Sequence, residues 1–172
     1  MSRGILVING PNLNLLGVRE PTLYGAQSLE EINRELQSMA SGAGIRIGFF
    51  QSNHEGELVE RIQQARDDFE LIIINAAALS HYSIALHDAL RAVNLPVIEV
   101  HLSNIYAREE FRHQSLISPV AVGGIFGFGA LSYRLAFLAA CEIIKGHEVL
   151  GVNLLLFHVK QFVKKTLAPI FY

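Results

Sequence analysis

Five short apolar runs punctuate the chain, and between them the apolar residues recur at helical rather than alternating intervals. "ILVING" (5–10) closes on Asn9-Gly10-Pro11, and "IRIGFF" (45–50) leads to a turn at His54-Glu55-Gly56. "LIIIN" (71–75) is apolar up to its last residue, "PVIEVHL" (96–102) opens at a proline, and "VAVGGIFG" (120–127) is rich in glycine. Runs this short, apolar on both faces and bounded by turn residues predict strands buried within a parallel sheet. The intervening segments predict helices. Ser28 and Glu31 have capping-box spacing ahead of Leu29, Ile32, Leu36, Met39 and Ala43, with Gly42 and Gly44 as the stop. Leu58, Ile62 and Ala65 mark a second helix, residues 83 to 93 a third that ends at Asn94, and Leu131 to about Lys145 a fourth. Five strands alternating with helices predict an α/β fold, an open parallel five-stranded sheet with helices on both faces.

Ligands of such sheets sit beyond the carboxyl ends of the strands, at the topological switch point. The residues just past the predicted strands are polar. Asn9, Asn12 and Asn14 follow the first, with Arg19 and Tyr24 in the loop "GVREPTLYG"; Asn75, Ser80 and His81 follow the third. The fourth carries Glu99 and His101, then Leu102, Ser103, Asn104, Arg108 and Arg112. Several of these have a plain structural reading. Asn12 and Asn75 suit the capping of turn backbone. Arg108 and Arg112, beside Glu109 and Glu110, suit a salt-bridged face, and the Arg19/Tyr24 loop suits a solvated turn. Glu99 and His101 differ, because two ionisable groups on one face of an apolar strand are costly unless they pair.

Composition narrows the chemistry. At 172 residues, 51% hydrophobic and 17% charged, the chain suits a single core-forming domain. A net charge of -2 gives no global field for a nucleic-acid partner. One cysteine, Cys141, cannot form an internal disulfide, and "MSRGILVING" has no secretory pattern, so a cytoplasmic location is expected. All ten arginines lie at or before Arg134, while the four lysines are Lys145, Lys160, Lys164 and Lys165. Residues 1 to 144 therefore offer no amine for a Schiff base. Neither a phosphate-binding G-x-x-x-x-G-K-[ST] nor a G-x-G-x-x-G turn is present, no Cys/His cluster has zinc spacing, and no G-x-S-x-G occurs. An anion-binding module and a flavodoxin-like nucleotide binder remain alternatives to an enzyme at the same crevice.

"INGPNLNLLGVREPTLYG", "QSNHEGELVERI", "EVHLSNIYAREEFRHQSLIS" and "GFGALSYRLA" closely resemble type II 3-dehydroquinate dehydratase, over about Ile5 to Lys145. The resemblance implies a flavodoxin-like fold, a homo-oligomer built as a dodecamer of four trimers, and no metal or organic cofactor. It implies conversion of 3-dehydroquinate to 3-dehydroshikimate by anti elimination of water through an enolate, in the shikimate pathway or quinate catabolism. On the matching positions, Tyr24 is the base and Arg19, with Arg108, favours its tyrosinate. Asn12 holds a water at the enolate oxygen, His101 protonates the departing hydroxyl, and Glu99 orients His101. Asn75, His81, Ser103 and Arg112 bind substrate, with backbone N–H groups at Leu102 and Ser103; Asp88 reaches a neighbouring subunit's site. Three positions depart from the family pattern: Ala77 or Ala78 stands for a frequent glycine, Tyr82 for threonine and His87 for arginine.

The resemblance divides the chain into a catalytic domain, 1–145, and an extension, 146–172. In the extension Val152, Leu155, Leu156, Val159, Phe162 and Val163 fall at helical spacing, with Lys160 and Lys164 elsewhere on the wheel. Its polar interruptions leave it short of the ~20 apolar residues of a spanning helix, so no membrane partner is required. It suits a helix docked on the oligomer, a weak basic membrane-surface helix, or an appendage from an altered reading of the gene.

Overall fold

A computed structural model describes residues 4–18 and 26–146. Arg19 and Tyr24, and the extension after Gly146, lie outside the described residues. Contacts divide the chain into residues 1–140 and 141–172, and the fold below is that of the first unit. Of the second, the described residues 141–146 are helical and include the buried Cys141.

The strands are β1 (Gly4–Asn9), β2 (Arg46–Gln51), β3 (Leu71–Asn75), β4 (Val97–His101) and β5 (Gly123–Phe126). They form one all-parallel sheet in the order β2-β1-β3-β4-β5. This is the flavodoxin-like order, with its switch point between β1 and β3. Every residue of β1, β3 and β4 is buried, as strands covered on both faces require. The predicted fifth strand, 120–127, is shorter at both ends, since Val120 belongs to a 3-10 turn, Ser118–Val120, and Gly127 has left-handed backbone.

Helices α1 (Leu29–Ala43), α2 (Glu55–Asp68) and α3 (Ile84–Val93) follow β1, β2 and β3, and a further helix, α4, begins at residue 131. The capping box at the start of α1 is formed: Ser28 Oγ accepts from the Glu31 N–H, and Glu31 accepts from the Ser28 N–H at 2.8 Å. The buried stripe of α1 is Leu29, Ile32, Leu36 and Ala40. Ala40, four residues past Leu36, replaces the expected Met39 and Ala43, and Ala43 is exposed. Gly42 is helical and the left-handed Gly44 alone ends the helix; Gly56 likewise lies inside α2. Ser83 caps α3 and Asn94 ends it in the left-handed conformation.

Alternation along the strands splits the core into two layers. Leu6, Ile8, Ile72 and Ile74 pack with Leu58, Ile62, Leu86 and Leu90 of α2 and α3. Ile5, Val7 and Ile73 point the other way, and Tyr133 of α4 reaches Asn9 and Asn75 on that same face.

The switch point itself is tight. Gly10 donates its N–H to the Asn75 carbonyl at 2.8 Å, and a Cβ on Gly10 would lie 2.5 Å from the Ala76 carbonyl oxygen. Only glycine allows this approach, since the obstacle is backbone. Gly10→Ala is expected to destabilise the protein by about 1–3 kcal/mol, read as a lower denaturant midpoint at unchanged slope. An unchanged midpoint would show that the β1–β3 junction yields freely.

Candidate active site

A pocket of about 720 Å3, counting its open mouth, lies at the switch point. Pro11, Asn12, Leu13 and Leu16 form one wall after β1; Asn75, Ala77, Ala78 and His81 form the second after β3. His101, Leu102, Ser103, Ile105, Arg108 and Arg112 form the third after β4. Two guanidinium groups, two imidazoles and two asparagines thus converge. Among the described residues no carboxylate lines the cavity, so its electrostatics favour an anionic guest.

Behind the third wall lies Glu99, only 1% exposed, beside His101 at 6%. His101 Nε2 stands 2.9 Å from Glu99 Oε1, which also accepts from Ser115 Oγ at 2.6 Å, while Oε2 accepts from Ser118 Oγ. Burial raises the Glu99 carboxyl, but the hydrogen bonds from His101, Ser115 and Ser118 and the charge of His101 outweigh it, so the net shift is downward. Glu99 is therefore a carboxylate, and the Nε2 that faces it carries the proton. The same-face pairing expected from the strand pattern is formed.

His81 stacks on His101, ring centroids 6.1 Å apart and planes at 20°. Its partner is different: Nδ1 lies 2.8 Å from the Gln114 carbonyl, which can only accept, so Nδ1 holds the proton and Nε2 is left as an acceptor. Burial lowers the His81 pKa, and the charges of His101 and Arg112 add to this against the Gln114 hydrogen bond. Two adjacent imidazoles are thereby set to different tasks, one paired with a carboxylate and one kept neutral.

Arg112 Nε meets Glu109 Oε2 at 2.9 Å and Arg108 Nε meets it at 3.4 Å. Both readings open in the sequence hold together, since the two arginines share a carboxylate and still line the cavity. Asn75 lines the cavity and also makes two structural bonds: Nδ2 donates to the Tyr133 hydroxyl at 3.0 Å and Oδ1 accepts from the Ala77 N–H at 3.2 Å. The Tyr133 hydroxyl in turn donates to Asn9 Oδ1 at 2.6 Å, and burial pushes this phenol up, so it is no base at neutral pH.

Asn12 and Ala77, which line the cavity after β1 and β3, both have left-handed backbone, φ 65° and 51°. The Asn12 N–H is held by Asn53 Oδ1 at 2.8 Å. Of the two alanines that could replace the family's glycine, Ala77 alone adopts the conformation that favours glycine. Asp88 lies on the exposed side of α3 and does not line the cavity. Tyr82 is exposed, and His87 Nδ1 lies 2.7 Å from the Leu116 carbonyl. Sequence reading missed Ser115 and Ser118. The available signal was chemical: a buried carboxylate needs more donors than one histidine supplies. Among the described residues no group of three or more His, Cys, Asp or Glu could hold a metal ion, and no helix is long and apolar enough to cross a membrane.

The family model for class II dehydroquinase matches residues 3–141. The chain belongs to this family. It is 57% identical over 140 residues to the 3-dehydroquinate dehydratase of Acaryochloris marina, covering 81% of this chain and 94% of that one. Identity to the 3-dehydroquinate dehydratase of Caldicellulosiruptor bescii is 53% over 141 residues, 81% of this chain and 97% of the other. The crystal structure of a type II dehydroquinase from Propionibacterium acnes superposes with a TM-score of 0.79 at 44% identity, covering 83% of this chain and 98% of that chain. The dehydroquinase resemblance and the flavodoxin-like fold read from the sequence are both borne out.

Because Glu99 is held below the ordinary value of 4.5, it contributes stability above that pH, and the contribution is lost as pH falls through the lowered folded-state pKa. Unfolding free energy should thus fall steeply below pH 4.5, and less steeply in Glu99→Gln. Equal slopes in denaturation series of the two proteins would show that this carboxylate is not what acid destroys.

Proposed function

We propose that this dehydroquinase uses the switch-point cavity to convert 3-dehydroquinate to 3-dehydroshikimate, with Tyr24 as base and His101 as acid. The observation that carries the assignment is the buried Glu99–His101 pair behind a cavity lined by Arg108 and Arg112. The substrate is a hydroxylated carbocyclic ketone with one carboxylate. Arg112 and the backbone N–H groups of Leu102 and Ser103 bind that carboxylate and the adjacent hydroxyls, and neutral His81 accepts from a hydroxyl through Nε2.

Tyr24 removes the proton at C2, the C2–H electrons pass into an enolate at C3, and Asn12 holds a water against the enolate oxygen. The enolate then expels the C1 hydroxyl as it takes a proton from His101, giving the C1=C2 double bond and one water. Glu99 keeps His101 charged and aimed. A phenol of pKa ~10 is a poor base unless cations favour its anion, the task assigned to Arg19 and Arg108. None of the described tyrosines lines the cavity. The stems of the 19–25 segment are adjacent, since a Cβ on Gly17 would lie 3.0 Å from the Ala26 carbonyl oxygen, and Leu16 is part of the cavity wall. This supports a loop that brings its base to the ring.

The enzyme acts as a dodecamer of four trimers in the cytoplasm, and Asp88, exposed on α3, supports a neighbour's site. Residues 1–145 form the catalytic domain and 146–172 an appendage. The family match ends at residue 141, which supports that division.

The product is a conjugated enone carboxylate, so turnover is followed directly in the ultraviolet. Tyr24→Phe is expected to lose at least roughly a thousandfold in kcat, about 4 kcal/mol of barrier, with substrate binding kept. His101→Ala should also lose kcat, whereas Arg112→Ala should mainly raise KM. Tyr24→Phe within tenfold of wild type would sink the base assignment, and equal, modest KM effects in the other two would remove His101 from the acid role. Ending the chain at Gly146 should leave kcat/KM within about tenfold, ~1.4 kcal/mol, of the full-length value. Loss of activity or of assembly, measured by sedimentation, would place the extension in the working enzyme.

A further inference from the structure

We propose that Ser115 and Ser118 are positioning residues of the acid step, acting through Glu99 to aim and charge His101. The proposal rests on the reading of His101 as the acid. Its basis is a directional constraint. Ser115 Oγ already accepts the Ile117 N–H at 3.1 Å and the Ser118 N–H at 3.3 Å, so its own O–H is committed to Glu99 Oε1, 2.6 Å away. Ser118 donates to the other carboxylate oxygen. With His101 as the third donor, both oxygens of Glu99 are occupied by hydrogens that belong to other groups. Three donors fill most of the roughly four lone-pair positions of the carboxylate, which disfavours a carboxylic acid proton, and the carboxylate cannot rotate without breaking a hydroxyl bond.

The turn that carries the two serines is itself anchored. Leu116 donates to the Ser80 carbonyl at 2.7 Å, His87 donates to the Leu116 carbonyl at 2.7 Å and His81 to the Gln114 carbonyl at 2.8 Å. His101 also has the Ser80 hydroxyl 3.5 Å from its Nε2, the Phe126 ring edge-on at 5.2 Å and the His81 ring stacked on it, and Arg108 and Arg112 line the same cavity. The downward shift of Glu99, to which both serines contribute, is in keeping with the clamp.

The test uses the full chain and follows kcat and KM for 3-dehydroquinate across pH in wild type, Ser115→Ala, Ser118→Ala, the double variant and Ser118→Thr. With the donors removed the carboxylate is a better base. The acid limb of kcat should therefore move to higher pH by about one unit per hydroxyl removed. KM should stay within about threefold, and Ser118→Thr, which keeps the hydroxyl, should follow wild type. A double variant whose melting temperature falls while the acid limb stays put would overturn the proposal, leaving the serines purely structural. Nitrogen NMR of the His101 ring in the same variants reads the pair without turnover. An unmoved titration there overturns the clamp. A moved titration with an unmoved kcat profile overturns the acid role of His101, and with it the proposal. If the double variant does not fold, the single variants and Ser118→Thr decide the same question.

Discussion

A carboxylate at 1% exposure inside a parallel sheet is stable only if its charge is matched and its lone pairs are filled, and much of the site is arranged around that requirement. Glu99 takes one donor from its own strand, two residues on, and two from the turn before β5. The strand fixes His101 at a spacing of two, on the same face. The turn at 115–118 must then come close enough for two hydroxyls to reach, and it is pinned there by carbonyl bonds to His81 and His87 and by the Ser80 backbone. The Glu99–His101 pair thus couples β4 to the elements that follow β3.

The second constraint is backbone crowding where β1 and β3 meet. Asn9 and Asn75 are register partners, and each sends its side chain to the Tyr133 hydroxyl. Past them the two chains diverge around the cavity through left-handed Asn12 and Ala77. Such conformations cost roughly 1–2 kcal/mol each in a residue with a Cβ. Here each is held by a side-chain amide: Asn53 holds the Asn12 N–H, and Asn75 holds the Ala77 N–H. Of the two asparagines that suit turn capping in the sequence, Asn75 is a cap in the structure, whereas the Asn12 side chain makes no cap bond and its own N–H is held by Asn53.

How much of this was legible follows from the kind of signal each part leaves. The strands and helices were visible because burial on both faces gives unbroken apolar runs, and the capping box of α1 has a fixed spacing. The Glu99–His101 pair was visible because two ionisable groups on one face of a core strand are anomalous. The serine donors were not, since an exposed serine and a serine that completes a buried carboxylate look the same in one dimension. Tyr133 was hidden for the opposite reason: it falls at helical spacing with Phe137 and Ala140, so it reads as core, and its hydroxyl becomes informative only once Asn9 and Asn75 are placed side by side. The end of the apolar stripe on α1 was misread because Met39 outweighs Ala40 in hydrophobicity, while the buried face continues four residues past Leu36, at Ala40.

The distribution of cations completes the logic. Lysine ammonium groups would serve to neutralise an anionic substrate, but near a ketone an amine is also a nucleophile and opens a Schiff-base route. Guanidinium is planar, permanently charged and inert toward carbonyls, and it binds carboxylates through two parallel hydrogen bonds. A cavity walled by Arg108 and Arg112, with no lysine before Lys145, can hold a keto acid without capturing it covalently. Both arginines meet the carboxylate of Glu109, which is half exposed. That partner is weak enough, being screened by solvent, for a substrate carboxylate to compete for the same guanidinium. Glu99, by contrast, is buried and takes three donors. The fold thus sets an exposed, replaceable counter-ion beside the arginines of the cavity and a buried, fixed one beside His101.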